Sequence, residues 1–175
     1  MSKQYENDMA KEMHRATDDS VRAVRAGFSG SNAMPQPDVL VTTPTGNYGL
    51  ELKGPIQSDT VRITEDDLEQ LLEFANGYTR VGLVVKFSRR EPLVVMHIPH
   101  VSGIEGWEDM SAAEQFQKLI PSAIPSRVSD ESGALLIDKP GTDDWPSAQA
   151  GSADHDAILS GLGIPTDKSI EIETS

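Results

Sequence analysis

The sequence predicts an α/β fold, a mixed central β-sheet flanked by helices, followed by an acidic C-terminal extension. Three observations predict it. Segments of helical and of strand periodicity alternate through residues 4–98. One of them, Val81-Gly82-Leu83-Val84-Val85-Lys86-Phe87, is almost continuously apolar, the pattern of a strand covered on both faces. Beyond Pro99 the periodic signal weakens while acidic residues accumulate. A chain of 175 residues suits one domain with an appendage. The expected division is residues 1–99 for the domain and 100–175 for the extension.

Each element has its own signal. Tyr5, Met9 and Met13, with Ala10 alongside, follow a helical repeat over residues 4–17, and Thr17-Asp18-Asp19-Ser20 ends it. Residues 20–26 read as a strand. Gly27-Phe28-Ser29-Gly30-Ser31-Asn32 is a flexible, hydroxyl-rich loop, and Met34-Pro35-Gln36-Pro37 leads stiffly into a strand, Asp38 then Val39-Leu40-Val41. Pro44-Thr45-Gly46-Asn47 is turn chemistry, and residues 48–53 alternate as a second strand. Residues 54–62 read as a loop. Thr64-Glu65-Asp66-Asp67 opens a helix with a threonine cap and acids in the first turn; Leu68, Leu71, Leu72 and Ala75 form its buried stripe and Gly77 fits its end. After the apolar strand, Ser88-Arg89-Arg90-Glu91-Pro92 turns the chain into residues 93–98, giving the order α-β-β-β-α-β-β. In the extension, Ser111-Ala112-Ala113-Glu114 is a capping box for a helix to about Ile120, Leu135-Leu136-Ile137 reads as a strand, residues 138–152 as a linker and residues 154–162 as a helix.

The net charge is −13, from 28 acidic and 15 basic residues, which taken alone opposes nucleic-acid binding. Its distribution matters more. Residues 1–99 carry 14 acidic and 11 basic side chains, net −3, and residues 100–175 carry 14 and 4, net −10. A positive face on the front part is compatible with that split. Acidic, lysine-poor composition also fits life in concentrated salt, although an acidic tail alone gives a similar total. The absence of cysteine excludes disulfides, thiol catalysis and Cys-based zinc sites. No run approaches the roughly 18 apolar residues of a membrane span, and no apolar stretch follows the first residues, so neither membrane nor secretion is expected and a cytoplasmic location is.

The chemistry concentrates in one hairpin. Asp38 starts one strand, and Glu51 and Lys53 lie on the next. Strand period two aims Glu51 and Lys53 to one side and Leu50 and Leu52 to the other. Two carboxylates can hold a hard divalent cation, and an adjacent lysine can orient or deprotonate a water, a combination suited to phosphodiester hydrolysis. Other candidates have simpler explanations. His97-x-x-His100 has a spacing seen in metal sites but no third ligand, and Asp154-His155-Asp156 reads as a polar helix start.

The pattern Glu6…Arg25-Ala26-x-x-Ser29-Gly30-Ser31…Pro37-Asp38-Val39-Leu40…Leu50-Glu51-Leu52-Lys53 resembles the archaeal Holliday junction resolvases, of the PD-(D/E)xK nuclease superfamily. The resemblance continues through Ile63-Thr64 to Phe74 and into Gly82-Leu83-Val84-Val85-Lys86-Phe87, covering residues 4–98. It implies a restriction-endonuclease-like core and a Mg²⁺-dependent endodeoxyribonuclease, with Mn²⁺ as a substitute. That enzyme would resolve four-way junctions by paired hydrolysis as a homodimer. Asp38 and Glu51 correspond to the metal-binding carboxylates, the Leu52 carbonyl to a further ligand, Lys53 to the catalytic lysine and Glu6 to an outer-shell acid. Arg25 and Ser29 correspond to the segment whose serine lies over the scissile phosphate, and Phe74, Tyr78 and Lys86 to residues of the dimer and DNA contacts. Asn7 departs from the pattern, since the family usually has a phosphate-touching arginine there. A longer stretch before Arg25 leaves Glu12 as an alternative to Glu6.

Arg15, Arg22, Arg25, Lys86, Arg89 and Arg90 are candidates for a DNA surface. Without the resemblance, Arg25 could equally pair with Asp18 or Asp19. The Asp38–Glu51–Lys53 skeleton serves repair and restriction-type nucleases as well. A catalytically inactive binding module and an acidic DNA mimic are the readings of another class.

Overall fold

The computed structural model describes residues 3–15, 17, 21–25, 36–44, 46–75, 79–139, 141 and 154–164. The elements run α1 (Lys3–Arg15), β1 (Arg22–Arg25), β2 (Val39–Thr43), β3 (Gly46–Ile56), β4 (Thr60–Ile63), α2 (Glu65–Phe74), β5 (Thr79–Phe87), β6 (Leu93–Met96), a 3₁₀ turn (Trp107–Asp109), α3 (Ala112–Leu119), β7 (Ser126–Val128), β8 (Leu135–Asp138) and α4 (Asp154–Gly161). Five strands make a mixed sheet in the order β1-β2-β3-β5-β6, and β4-β8-β7 make a second, antiparallel sheet. Within the larger sheet β3 and β5 are parallel and the other neighbours antiparallel.

The apolar run of β5 is explained by two cores. Val84 points into one, built from Tyr5, Met9 and Met13 of α1, Val39 and Val41 of β2, Leu50 and Leu52 of β3, and Ile158 and Leu159 of α4. Leu83 and Val85 point into the other, with Leu68 and Leu71 of α2, Phe116 of α3, and Leu135 and Ile137 of β8. Alternation carries successive side chains to opposite faces, and here both faces are covered. Residues on both sides of the expected 99/100 division share these cores.

The expected elements are present, with two additions. Residues 54–62 are not simply a loop: β3 runs on to Ile56, and Thr60–Ile63 pairs with β8 in the register Val61↔Ile137 and Ile63↔Leu135. The alternation is there, Val61 and Ile63 buried and Arg62 exposed, but four residues are too few to separate a strand from a loop without the distant neighbour. β7 was likewise not expected. Helix α2 starts as predicted, with the Thr64 hydroxyl accepting from Asp67 N at 3.2 Å, and it ends at Phe74, before Gly77, which lies outside the described residues. The capping box at Ser111 forms in full.

His97 ties β6 to α3. Its Nε2 lies 2.8 Å from Gln115 Oε1, and Gln115 Nε2 donates to the Trp107 carbonyl at 2.8 Å. That second bond fixes the amide so that its oxygen faces the ring, and His97 must therefore donate from a protonated Nε2. His100 is exposed beside Glu108 at 3.6 Å, so the two histidines take different partners. Burial pulls His97 below the ordinary histidine value, and the Gln115 bond only partly opposes this. A folded value below the unfolded one gives stability that is complete above about pH 6.5 and lost as pH falls through the folded value. The melting temperature is therefore expected to drop between pH 7 and 5, and more shallowly in His97→Gln; identical slopes would contradict this account.

Candidate active site

Antiparallel pairing of β2 and β3 matches Val39 with Leu50, so one step further Asp38 faces Glu51. Asp38 is anchored there by its own side chain, since Oδ2 accepts the Leu52 backbone N–H at 2.9 Å. Packing fixes the approach of the chain. Pro37 and Gly49 are buried, and a Cβ built at Gly49 would lie 3.0 Å from Pro37 Cγ and 3.1 Å from the Phe74 ring. Proline, glycine and ring thus form a tight stack beneath the entry to Asp38. Phe74, expected at a dimer or DNA interface, is half-buried in this stack.

Leu50 and Leu52 enter one core, and Glu51 and Lys53 face the other way, as the period of two requires. On that side Glu51 is in register with Leu83 and Lys53 with Val85, so the carboxyl sits among apolar neighbours. Burial first, then the hydrogen bond and the charge of Asp38, push the Glu51 carboxyl up to about 9; Lys53 works against this. At neutral pH without a cation the Glu51 carboxyl therefore favours its protonated form.

Lys53 donates to Asp67 Oδ2 at 3.1 Å. For its ammonium, burial favours the neutral form, but the charges of Glu51, Asp67 and Asp38 and the Asp67 hydrogen bond together outweigh it and raise the pKa. Lys53 is thus a fixed positive charge. Asp67 was legible only as a helix-start acid; its contact with Lys53 comes from the way α2 crosses β3, for which the sequence carries no local signal. Immediately after Lys53 the β3–β5 register shifts, and Gly54 has φ 132° with its α-carbon against the Lys86 carbonyl, leaving no room for a side chain.

The remaining candidates fall in three places. Glu6 is buried in α1 and accepts from Arg25 Nε at 2.9 Å, while Glu12 is at the surface with Arg15 at 3.2 Å. Arg25 borders a groove of about 540 Å³ between α1 and β1, lined also by Asn7, Lys11, His14 and Arg15. Lys86 is turned inward, donating to Asp154 Oδ1 at 3.1 Å and to the Arg90 carbonyl. Ser29 and Tyr78 lie outside the described residues, as do Asp18 and Asp19.

The Asp38–Glu51 pair suits a hard cation, because it offers only oxygen donors and the two acids face each other across β2 and β3. Among the described residues no group of three or more histidine or acidic side chains is placed to hold a metal ion, and Glu6 is paired with Arg25. The raised Glu51 value makes a prediction. Its contribution to stability is complete below the ordinary 4.5 and is lost as pH rises toward about 9. Cation-free Glu51→Gln, which cannot ionise, is expected to melt above the wild type at pH 9 and level with it near pH 5; equal melting at both would contradict this account.

A model of the archaeal Holliday junction resolvases, Hjc, matches residues 2–111, more than half of the chain. Among solved structures, Hjc of Archaeoglobus fulgidus, a Holliday junction resolvase from an archaeal hyperthermophile, is similar at a TM-score of 0.45 and 24% identity, over 52% of this chain and 72% of that one. A comparison with curated proteins gives no match. Among the described residues no helix is long and apolar enough to cross a membrane. The chain belongs to the archaeal Holliday junction resolvase family.

Proposed function

We propose that the protein resolves four-way DNA junctions by Mg²⁺-dependent, paired phosphodiester hydrolysis from a two-fold homodimer. The observation that carries this reading is the placement of Asp38 opposite Glu51 across β2 and β3, with Lys53 on the same side and held by Asp67, in a member of the resolvase family. Asp38, Glu51 and the Leu52 carbonyl would hold Mg²⁺, with Mn²⁺ as a substitute. When bound, the cation supplies charge neutralisation at the scissile phosphate and lowers the pKa of water.

The chain's own residues do the rest. Lys53, kept protonated by its carboxylate neighbours, orients the attacking water and stabilises negative charge as it develops on the phosphoryl oxygens. Asp67 holds that ammonium in place. Arg25, aligned by Glu6, presents its guanidinium to a phosphate oxygen, and Ser29 donates to the same group. Burial and the Arg25 contact favour Glu6 over Glu12 as the helix acid.

DNA binding is assigned to the groove beside Arg25, where Lys11 and Arg15 extend the cationic line along α1. Phosphate contacts there position the duplex arm without reading bases. Lys86 is committed to Asp154 and the Arg90 carbonyl, so it is not assigned to this surface. A four-way junction has two-fold symmetry, and a two-fold dimer offers two sites to it, with Phe74 and Tyr78 as interface candidates. A cytoplasm rich in KCl suits the acidic composition.

The direct test offers the full-length protein a synthetic four-way junction and a matched linear duplex with Mg²⁺ across a range of KCl. Symmetrical nicks in the junction alone are expected, with Asp38→Asn inactive and Lys53→Ala slowed about 100-fold or more. Equal cutting of both substrates would make it a general nuclease, and inertness a binding module. Lys11→Glu with Arg15→Glu is expected to weaken junction binding and to flatten its salt dependence by about one unit of slope per lost contact. An unchanged salt slope would remove the groove from the DNA surface.

A further inference from the structure

Helix α4 lies beyond the matched span of residues 2–111, yet it is built into the same core as the first helix. Ile158, Leu159 and Leu162 are buried in one cluster with Tyr5, Met9 and Met13 of α1. Its last turn rests directly on β6: a Cβ at Gly161 would come within 2.7 Å of Val94 Cβ. A side chain at that position would lift the helix.

The first residue of α4, Asp154, divides its carboxylate between two elements. Oδ2 accepts the Tyr5 phenol of α1 at 3.2 Å, and Oδ1 accepts the Lys86 ammonium of β5 at 3.1 Å. Both contacts are largely screened from water, with the Lys86 and Asp154 side chains 14% and 22% exposed. Lys86 continues the chain of contacts to the Arg90 carbonyl in the turn between β5 and β6. One carboxylate therefore fastens α1 to β5.

Tyr5 immediately precedes Glu6, and both lie in the first turn of α1, which begins at Lys3. First turns fray, because their backbone N–H groups lack intrahelical acceptors. Fraying here would release Glu6 from Arg25. We propose that α4 is a clasp that sets the first turn of α1, and that Asp154 is a positioning residue for the Glu6–Arg25 pair. Its effect on cleavage rests on the proposed function; its effect on α1 does not.

The test uses the full chain and three variants, Asp154→Ala, Asp154→Asn and Tyr5→Phe. Two readouts are taken: the single-turnover cleavage rate of bound junction beside its Kd, and amide exchange in α1, β2 and β3. Asp154→Ala is expected to slow cleavage about tenfold with Kd unchanged within about twofold, the mark of lost positioning rather than lost binding. Exchange should quicken about tenfold at residues 7–10 of α1, whose N–H groups donate to the first-turn carbonyls, and not in β2 or β3. Asp154→Asn, which keeps an acceptor for Tyr5, should recover most of both losses, and adding Tyr5→Phe to Asp154→Ala should cost nothing further.

Unchanged α1 exchange, or equal quickening in β2 and β3, overturns the clasp. Quickened α1 exchange with an unaltered cleavage rate overturns the positioning role. If Asp154→Ala does not fold, Tyr5→Phe is held to the same criteria. If the wild type leaves the junction intact, the proposed function falls and the exchange comparison still decides the clasp.

Discussion

The parallel pairing of β3 with β5 is the constraint on which the rest of the molecule depends. β5 is buried from both sides, so it can carry almost nothing polar. The polar chemistry is displaced one strand over, to β3, whose leucines still serve the α1 core while Glu51 and Lys53 face α2. In-register neighbours Leu83 and Val85 then dictate how dry those two side chains are. The unusual state of Glu51 is thus a consequence of sheet order as much as of Asp38. Were β3 an edge strand, the same acids would be solvated and would lose most of their mutual influence.

Around that dry pair the charges are arranged in a sequence of compensations. Asp38 is satisfied by a backbone N–H, Lys53 by Asp67, and Arg25 by Glu6. Each functional group is held by a residue from a different element, β3, α2 and α1 in turn, so the site is a property of the tertiary fold. Lys53 as a fixed cation narrows the two roles open to it on the sequence: orienting water and stabilising charge fit a protonated amine, and proton abstraction does not. Rigid support also arrives from apolar contacts, since the Pro37–Gly49–Phe74 stack sets the strand entry without any hydrogen bond.

Much of this was legible in the residues, and the gaps have physical reasons. Long or strongly patterned elements announced themselves: the α1 repeat, the two-sided run of β5, and the threonine and serine caps of α2 and α3. The Asp38–Glu51 pair was legible because a hairpin is local, and its register follows from the turn. β4 and β7 were not, because each is short and takes its identity from β8, far along the chain. Asp67 and Asp154 were read as helix-start acids, which they are; their second roles arise from contacts across 14 and 149 or 68 residues of sequence. Lys86 shows the same limit in reverse, because its strand was clear and its direction was decided by a helix outside the recognisable region.

The two acids facing each other across β2 and β3 also bear on how this lineage can drift. A chain under selection for folding alone would shed the buried acid, since a neutral residue in place of Glu51 removes the cost of ionising a carboxyl out of water. Under the proposed function, decay of that activity would begin at Glu51 and leave descendants that fold better than their ancestor. Keeping both acids at once is what the proposed chemistry, and not the fold, requires.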